Sequence, residues 1–270
     1  MVLIDSELSQ PRVDNRILIV ADAHLGGFDR HTNRIIEQDF IHLLGYAESN
    51  CNQLIILGDL YDYWMEYPGS HPDVAADATA ALTNLSRSGF SVLYITGNHD
   101  NWMRSYFSDH NIEVEHEYRI VNFDNLRVLL HHGDGFISSK WEYRRPWLHR
   151  ILRNPGFVSL YQRIFPEKTG LALMKWFSKI SSLSSSKNAR QKLDDWCRMA
   201  LQRSWADVVI CGHHHQVRYE TNGNKRYINT GNFFKDRSLI LYANNDFHPV
   251  IWDGKSLQIQ EKHSAGTAPL

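Results

Sequence analysis

The sequence predicts an α/β protein in which apolar strands alternate with amphipathic helices around a largely parallel central sheet. Short runs rich in β-branched and aromatic residues, at 17–20, 54–57 and 91–96, have the length and composition of buried strands. Between them, residues 31–50 carry apolar side chains at helical spacing, and residues 72–88 have proline near the start and glycine just past the end. Alternation of this kind is typical of βαβ units, which build parallel sheets.

After about residue 110 the pattern changes to a hairpin and then to helices alone. Residues 117–123 and 126–131 flank Asp124-Asn125, which predicts a β-hairpin. The next segment shows only helical periodicity, is punctuated by prolines and contains five of the eight Trp, and strands resume near residue 206. The predicted organisation is a core of residues 1–138 and 206–262, a helical insertion of residues 139–205 standing over the site, and a flexible tail of residues 263–270.

The composition is ordinary for a globular protein, with 43% hydrophobic residues, 22% charged residues and a net charge of −1 over 270 residues. Basic charge is nevertheless concentrated, because residues 140–203 hold fourteen Lys and Arg against four Asp and Glu. An anionic partner and a solvated helical face account for this surplus equally well. The three cysteines are widely spaced and form no CxxC motif, which indicates reduced thiols in a cytosolic protein.

The N-terminal sequence and the hydropathy predict a protein that is soluble or at most lies on a membrane surface. The first residues lack the basic region and the long apolar stretch of a signal peptide. No run approaches the roughly 20 apolar residues that a membrane-spanning helix needs.

Polar residues of three types follow five of the apolar runs. In chain order these residues are Asp22 and His24, then Asp59, then Asn98, His99 and Asp100, then His131 and His132, and finally His213, His214 and His215. Open α/β sheets keep their functional residues at the carboxyl ends of strands, so we expect these side chains to meet.

The shared chemistry of this set indicates a metal site. Carboxylates, an amide and imidazoles without a thiolate suit Mn²⁺, Fe, Zn²⁺ or Co²⁺. In extended backbone, Asp22 and His24 would project to one side, and so would His213 and His215. Seven candidate ligands exceed the needs of one ion and a carboxylate can bridge two, so we predict a two-metal centre with ions about 3.5–4 Å apart.

Taken singly, each of these residues has an ordinary structural explanation. An Asp after a strand is usually a turn former, and a lone His is more often a hydrogen-bonded bystander. It is their recurrence at successive strand ends that indicates a shared site. His131 and His214 each adjoin a candidate ligand, so both are predicted to point away from the site.

The chain resembles the calcineurin-like metallophosphoesterases, whose five signature blocks match Asp22-x-His24, Gly58-Asp59, Gly97-Asn98-His99-Asp100, His132-Gly133-Asp134 and Gly212-His213-x-His215. The resemblance implies a metallophosphoesterase-type sandwich of two sheets flanked by helices. The implied ligands are Asp22, His24 and His215 for one ion, Asn98, His132 and His213 for the other, and Asp59 as the bridge between them. It further implies that His99 protonates a leaving oxygen, that Asp100 orients His99, and that Gly133 and Asp134 hold the loop of His132.

A narrower resemblance is to the UDP-2,3-diacylglucosamine diphosphatases of lipid A synthesis in Gram-negative bacteria. It is carried by Leu57-Gly-Asp-Leu-Tyr-Asp-Tyr-Trp64, by Arg145-Pro-Trp-Leu148 and by the basic helical insertion. Those enzymes cleave a pyrophosphate to give UMP and 2,3-diacylglucosamine 1-phosphate, and their insertion forms a lid over the acyl chains. The best-studied branch has Arg where this chain has His99, a departure that leaves the metal ligands intact and the identity of the substrate open.

Four residues of the insertion are candidates for substrate binding. Leu173 and Phe177 lie on the apolar face of the 171–180 segment, and a basic amphipathic helix suits a lipid interface or an acyl pocket. Packing of that face on other lid helices would explain the pattern equally well. Lys187 and Arg190 belong to a polar basic stretch that could bind a phosphate, although such stretches are usually solvated.

The residues and the resemblance together predict a dinuclear hydrolase that cleaves UDP-2,3-diacylglucosamine, with two Mn²⁺ ions as cofactors or Fe, Zn²⁺ or Co²⁺ in their place. The expected partners are the nucleotide-activated glycolipid and an anionic membrane surface, with no nucleic acid. The expected location is the cytoplasm, at the face of the inner membrane. One alternative is a metallophosphodiesterase or nucleotidase acting on another nucleotide or lipid phosphoester. The other is a non-catalytic scaffold, which would not need to retain every ligand.

Overall fold

The computed structural model describes residues 15–135, 147–182 and 187–260, and these residues form two β-sheets with helices on their outer faces. The strands are β1 (Ile17–Val20), β2 (Gln53–Leu57), β3 (Ser91–Ile95), β4 (Glu113–Glu115), β5 (Tyr118–Phe123), β6 (Leu126–His131), β7 (Val208–Cys211), β8 (Val217–Asn222), β9 (Lys225–Thr230), β10 (Ser238–Ala243), β11 (Asp246–Trp252) and β12 (Leu257–Ile259).

The first sheet has the strand order β12-β11-β10-β1-β2-β3-β4. Strands β1 to β4 are parallel, as the alternation of strands and helices predicts. Strands β10, β11 and β12 add an antiparallel half, so the expectation of a largely parallel sheet was wrong for this side. The turns between these three strands are too short for the crossover that a parallel pair requires.

The second sheet has the order β5-β6-β7-β9-β8. Strands β5 and β6 form the predicted hairpin around Asp124 and Asn125, with Phe123 paired to Leu126. Strands β6, β7 and β9 are parallel, so the carboxyl ends of β6 and β7 lie at one edge.

The two sheets pack face to face through a buried apolar layer. Alternate residues of each strand point into it, as Ile17 and Ile19 do from β1 and Val208 and Ile210 do from β7. The intervening residues of β1, Leu18 and Val20, point instead to the helices on the outer face. This two-sheet sandwich flanked by helices is the predicted fold class.

The helices are α1 (Arg30–Asn50), α2 (Ala76–Arg87), α3 (Trp147–Leu152), α4 (Pro155–Ile164), α5 (Glu167–Ser182) and α6 (Lys187–Gln202). Helix α1 begins where the carboxylate of Asp29 accepts hydrogen bonds from the backbone N–H groups of His31 and Thr32. Helix α2 begins at Ala76, later than the predicted Pro72, because Ala75 directly before it adopts a left-handed conformation that is incompatible with a right-handed helix.

The helices of the predicted insertion occupy two different places. Helix α6 packs on the outer face of the second sheet, where Leu193, Trp196 and Cys197 contribute to a cluster that also contains Val209. Helices α4 and α5 pack instead on an aromatic cluster near the ends of the first sheet's strands, described below. The boundary between core and insertion stays a prediction, as does the tail, which lies outside the described residues.

Candidate active site

The predicted site residues lie on loops that leave the carboxyl ends of strands in both sheets. Strand β1 leads to Asp22 and His24, β2 to Asp59, and β3 to Asn98 and His99; in the second sheet β6 leads to His132, and β7 to His213 and His215. Because the sheets face each other, the loops of the two sheets meet at one end of the sandwich.

The backbone of these loops is left-handed at five of the candidate ligands. The φ angles are 54° at Asp22, 45° at His24, 51° at Asp59, 71° at His213 and 55° at His215. The expectation that extended backbone aims the paired residues was therefore wrong, because each residue of each pair lies in a left-handed turn. Non-glycine residues rarely adopt this conformation, although Asp and His do so more often than most.

One group of possible ligands contains Asp22, His24 and His215. The two imidazole Nε2 atoms lie 3.3 Å apart, and Oδ1 of Asp22 lies 3.2 Å from Nε2 of His215 and 3.8 Å from Nε2 of His24. Nitrogens at this separation fit two ligands of one ion, given metal–nitrogen distances of about 2.0–2.1 Å.

A second group contains Asp59, His132 and His213. Oδ2 of Asp59 lies 3.1 Å from Nε2 of His132, which in turn lies 3.2 Å from Nδ1 of His213. Nδ1 of His132 donates to the carbonyl of Leu57 at 2.7 Å, which leaves its Nε2 free to bind a metal. Oδ2 of Asp59 is also 3.9 Å from Nε2 of His24. The Asp59 carboxylate therefore belongs to the second group and also faces the first.

The amide of Asn98 supplies a further test of whether a cation fits. Its Oδ1 is buried, and no hydrogen-bond donor among the described residues reaches it. A buried carbonyl oxygen without a hydrogen-bond donor is energetically unfavourable unless a bound ligand, such as a cation, interacts with it. Together with the converging nitrogens and carboxylates, this oxygen makes the residues present a suitable donor set for divalent cations.

The carboxylates raise the pKa values of the two imidazoles nearest to them. Burial alone lowers the pKa of His24, but the carboxylates of Asp22 and Asp62, which face its ring nitrogens as acceptors, and the charge of Asp59 outweigh burial and raise the pKa to about 10. Burial likewise lowers the pKa of His132, and Asp59 raises it to about 10. These shifts favour protonation of both imidazoles, so a divalent ion that binds them would compete with protons.

The pKa values of the carboxylates shift in the opposite direction, to lower values. Burial raises the pKa of Asp22, yet the imidazoles of His215 and His24 bring it far below its ordinary value, and His132 does the same for Asp59. Burial and the neighbouring His132 lower the pKa of His213 to about 4. The site thus keeps two buried carboxylates ionised, and such a pair attracts cations.

His99 lies at the mouth of the site, and its partner differs from the predicted one. Nδ1 of His99 donates to the backbone carbonyl of Asp62 at 2.5 Å and lies 3.8 Å from the Asp62 carboxylate. The expectation that Asp100 orients His99 was wrong. The carboxylate of Asp100 is buried and instead accepts hydrogen bonds from Tyr94 Oη at 2.6 Å and from the backbone N–H groups of Gly97 and Leu60 at 2.6 and 2.9 Å.

Two residues near the site were missed at the sequence level. Asp62 contacts both His24 and His99, and its only sequence signal is its place in the 57–64 segment. Phe234 packs edge-on against the rings of His24 and His215, with ring centroids 5.7 and 5.2 Å away. No local pattern indicates that contact, because Phe234 follows β9 in a turn far along the chain.

The two predicted bystanders point away from the ligands. His131 lies on the outer face of the second sheet, where its ring packs against Trp196 and its Nε2 lies 3.9 Å from Sγ of Cys197. His214 turns toward α6, with Nδ1 3.8 Å from Asp194.

Of the four candidate substrate-binding residues in the insertion, the structure describes the side chains of two, Leu173 and Arg190. Leu173 is half-buried and packs with Met174 against the aromatic cluster of Met65, Tyr67, Trp102, Val158 and Tyr161. Arg190 is half-buried on α6. The side chains of Phe177 and Lys187 lie outside the part of the chain that the structure describes.

Comparison with known proteins identifies the class. The family model for calcineurin-like phosphoesterases matches residues 15–217, and the chain belongs to that family. It is therefore a metal-dependent hydrolase that uses divalent metal ions.

None of the helices in the described ranges is both long and apolar enough to cross a bilayer.

The curated relatives carry a more particular name. The UDP-2,3-diacylglucosamine hydrolase of Porphyromonas gingivalis is 26% identical over 266 residues, which cover 91% of this chain and 97% of the relative. The protein of the same name from Edwardsiella ictaluri is 27% identical over 203 residues, which cover 74% of this chain and 75% of the relative. Among solved structures, Vacuolar Protein Sorting 29 from Cryptosporidium parvum is 14% identical with a TM-score of 0.49, covering 92% of this chain and 96% of that one.

Proposed function

We propose that the chain hydrolyses the pyrophosphate of UDP-2,3-diacylglucosamine to UMP and 2,3-diacylglucosamine 1-phosphate at a dinuclear metal centre. The observation that carries the hydrolytic part is the position of Asp59 between two groups of possible ligands, each with a pair of imidazole nitrogens about 3.2–3.3 Å apart. The names of the relatives support the substrate.

The proposed ligands are Asp22, His24 and His215 for one ion and Asn98, His132 and His213 for the other, with Asp59 shared. Divalent ions bound there, Mn²⁺ foremost, would polarise the phosphoryl oxygens and lower the pKa of an attacking water. Mn²⁺ suits a site of mixed oxygen and nitrogen ligands, and Fe, Zn²⁺ and Co²⁺ are the alternatives.

His99 is proposed to act on the departing group. Since Nδ1 donates to the carbonyl of Asp62, the ring is held in one orientation and its Nε2 is left to meet the substrate. A proton on Nε2 would pass to the phosphate oxygen that leaves with the lipid. Asp100 is proposed to act only through the backbone, because its carboxylate holds the N–H groups of Gly97 and Leu60 in place.

The site opens to solvent on the side of His99. Asp22, Asp59 and His132 are fully buried, whereas the side chain of His215 is 38% exposed and that of Asp62 is 44% exposed. A substrate would therefore approach across His99 and His215.

The insertion is proposed to shelter the acyl chains. Leu173, with Phe177 on the same helix in the sequence pattern, would extend the aromatic cluster beside the site into an apolar surface. Lys187 and Arg190 would bind a substrate phosphate. Leu160 and Ile164 of α4 are 56% and 60% exposed and flank Arg163, which supports a peripheral contact with an anionic membrane on its cytoplasmic face.

The test compares turnover of UDP-diacylglucosamine with that of UDP-glucose by the purified full chain, with the products followed by phosphorus NMR. Each buried methylene contributes about 0.8 kcal/mol, so burial of only four would favour the lipid by about two hundredfold in kcat/KM. Leu173→Ser should raise KM for the lipid and spare a small activated phosphodiester. Ile35→Ser, which removes a similar apolar side chain from an exposed position on α1, is the matched control.

Equal turnover of both substrates would reject the lipid and favour a nucleotidase or phosphodiesterase on a soluble compound. Absence of turnover on every phosphoester tested, with two metals bound, would favour the scaffold instead. Loss of lipid and small-substrate activity together in Leu173→Ser would mean that this leucine supports the fold and not the acyl chains.

A further inference from the structure

Arg153 joins the insertion to the loops of the candidate metal centre. It follows the last residue of α3, Leu152, and precedes Asn154, whose side chain caps α4. The backbone here is fixed from both sides, because Trp102 Nε1 donates to the carbonyl of Leu152 at 3.0 Å. The Arg153 side chain is only 5% exposed, although it comes from a segment expected to lie over the core.

Within the described ranges, the guanidinium of Arg153 donates four hydrogen bonds, which reach two loops and a neighbouring turn. Its Nη1 donates to Thr96 Oγ1 at 3.1 Å and to the carbonyl of His116 at 2.5 Å. Its Nη2 donates to the carbonyl of Gly97 at 2.7 Å and to Oδ2 of Asp134 at 2.9 Å. Arginine suits this role, because its planar group can serve several acceptors in fixed directions.

The acceptors of Arg153 lie beside two proposed ligands that come from different sheets. Gly97 directly precedes Asn98 at the end of β3, and Asp134 is two residues beyond His132 at the end of β6. Strand β3 belongs to the first sheet and β6 to the second. One side chain therefore ties together the two loops that must stay in register for Asn98 and His132 to bind the same ion.

We infer that Arg153 is a positioning residue that sets the distance between Asn98 and His132, and so completes one of the two metal sites only when the start of the insertion is docked. The inference rests on the proposed ligand assignment. In that assignment, an ion held by Asp22, His24 and His215 would take no ligand from either loop that Arg153 binds, so the dependence on Arg153 is expected to be selective.

The experiment strips the purified full chain of metal with a chelator and titrates it with Mn²⁺, counting bound equivalents and measuring kcat and KM. Wild type should bind two equivalents. Arg153→Ala should keep one site near wild-type affinity, weaken the other at least tenfold, and lower kcat far more than KM. Asp134→Asn, which leaves the arginine but weakens its anchor on the second loop, should weaken the same site to a smaller extent.

Arg104→Ala is the matched control. Nη1 of Arg104 donates to Oε1 of Gln162 on α4 at 2.7 Å, so this arginine also joins core to insertion. Among the described residues its guanidinium donates no hydrogen bond to Gly97 or Asp134. It should keep both equivalents of metal. Arg153→Lys retains the positive charge and part of the hydrogen bonding, so it should bind Mn²⁺ at the weakened site with an affinity between those of wild type and Arg153→Ala. If the alanine variant does not fold, the lysine variant replaces it in the experiment.

Full binding of both ions by Arg153→Ala with wild-type kcat would overturn the inference, as would an equal loss of both sites or the same loss in Arg104→Ala. A wild-type protein that binds fewer than two ions would instead reject the dinuclear assignment itself, so the two failures are distinguishable.

Discussion

Replacing Gly97 by alanine should damage the candidate site through one methyl group. A Cβ at this position would lie 2.7 Å from the backbone nitrogen of Asp59 and 2.8 Å from its Cγ, and closer still to Oδ1. The Asp59 carboxylate has little room to move, because it accepts a hydrogen bond from His99 N–H at 2.9 Å and lies 3.1 Å from Nε2 of His132. The methyl group must therefore displace the side chain proposed to bridge the two ions.

The size of the effect follows from two contributions. Inserting a methyl group into a well-packed region typically costs about 1–3 kcal/mol. A displaced Asp59 also loses a hydrogen bond to a charged group, which contributes about 1.5–3 kcal/mol. We expect Gly97→Ala to lower the free energy of unfolding of the metal-free chain by about 2–5 kcal/mol, since these contributions overlap. The variant should also bind fewer than two equivalents of metal.

Gly45→Ala is the control, because it adds the same methyl group where nothing lies within 4 Å. Gly45 is exposed in the middle of α1, where alanine is favoured over glycine by about 1 kcal/mol, so this variant should be slightly more stable than wild type. Urea denaturation without metal, elemental analysis and turnover would be measured on both variants. Wild-type stability and metal content in Gly97→Ala would show that the Asp59 loop can shift with little loss of free energy. That result would refute the expected steric effect of the methyl group.

Three further perturbations test individual roles. His99→Ala should lower kcat by about 10²–10⁴-fold with metal content unchanged, as for loss of a general acid; loss of metal would make His99 a ligand or a support instead. Asp59→Asn should deplete both metals in elemental analysis and His24→Ala mainly one, whereas two retained equivalents with normal activity in Asp59→Asn would contradict the bridge. Since the pKa values of His24 and His132 are raised to about 10 in the metal-free protein, metal must displace their protons, so its affinity should rise with pH up to that value and fall as pH falls. Calorimetry in buffers of different ionisation enthalpy should detect the released protons, and an affinity independent of pH between 6 and about 9 would contradict this linkage.

The strands that carry the site were predictable because buried strands have strong local signals. The runs ending near Asp22, Asp59 and Asn98 are continuous and apolar, and each is closed by a turn-forming residue. Strands β4 and β12 escaped prediction because three residues give no periodicity, and their pairing with a neighbouring strand defines them.

The partners of the catalytic candidate were not predictable, because they depend on tertiary placement. Asp100 adjoins His99 in sequence but turns inward to Tyr94, while Asp62 reaches His99 from another loop. The packing of α6 was not predictable from the sequence for the same reason. An apolar helix face can pack in a lid or against a sheet, and the position of the second sheet determines that α6 packs against the sheet.

The left-handed residues explain why Asp and His can serve as both turn formers and ligands here. A non-glycine residue in this conformation costs about 1–3 kcal/mol and persists only where its surroundings fix it. Hydrogen bonds between the first two loops supply that constraint, from Asp22 N–H to the carbonyl of Gly58 at 3.1 Å and from His24 N–H to the carbonyl of Asp59 at 3.0 Å. These backbone hydrogen bonds thus fix the two loops independently of the ligand side chains. Asn tolerates the left-handed region as Asp does, so Asp59→Asn removes the shared charge while keeping the turn, which is why that substitution can separate metal binding from folding.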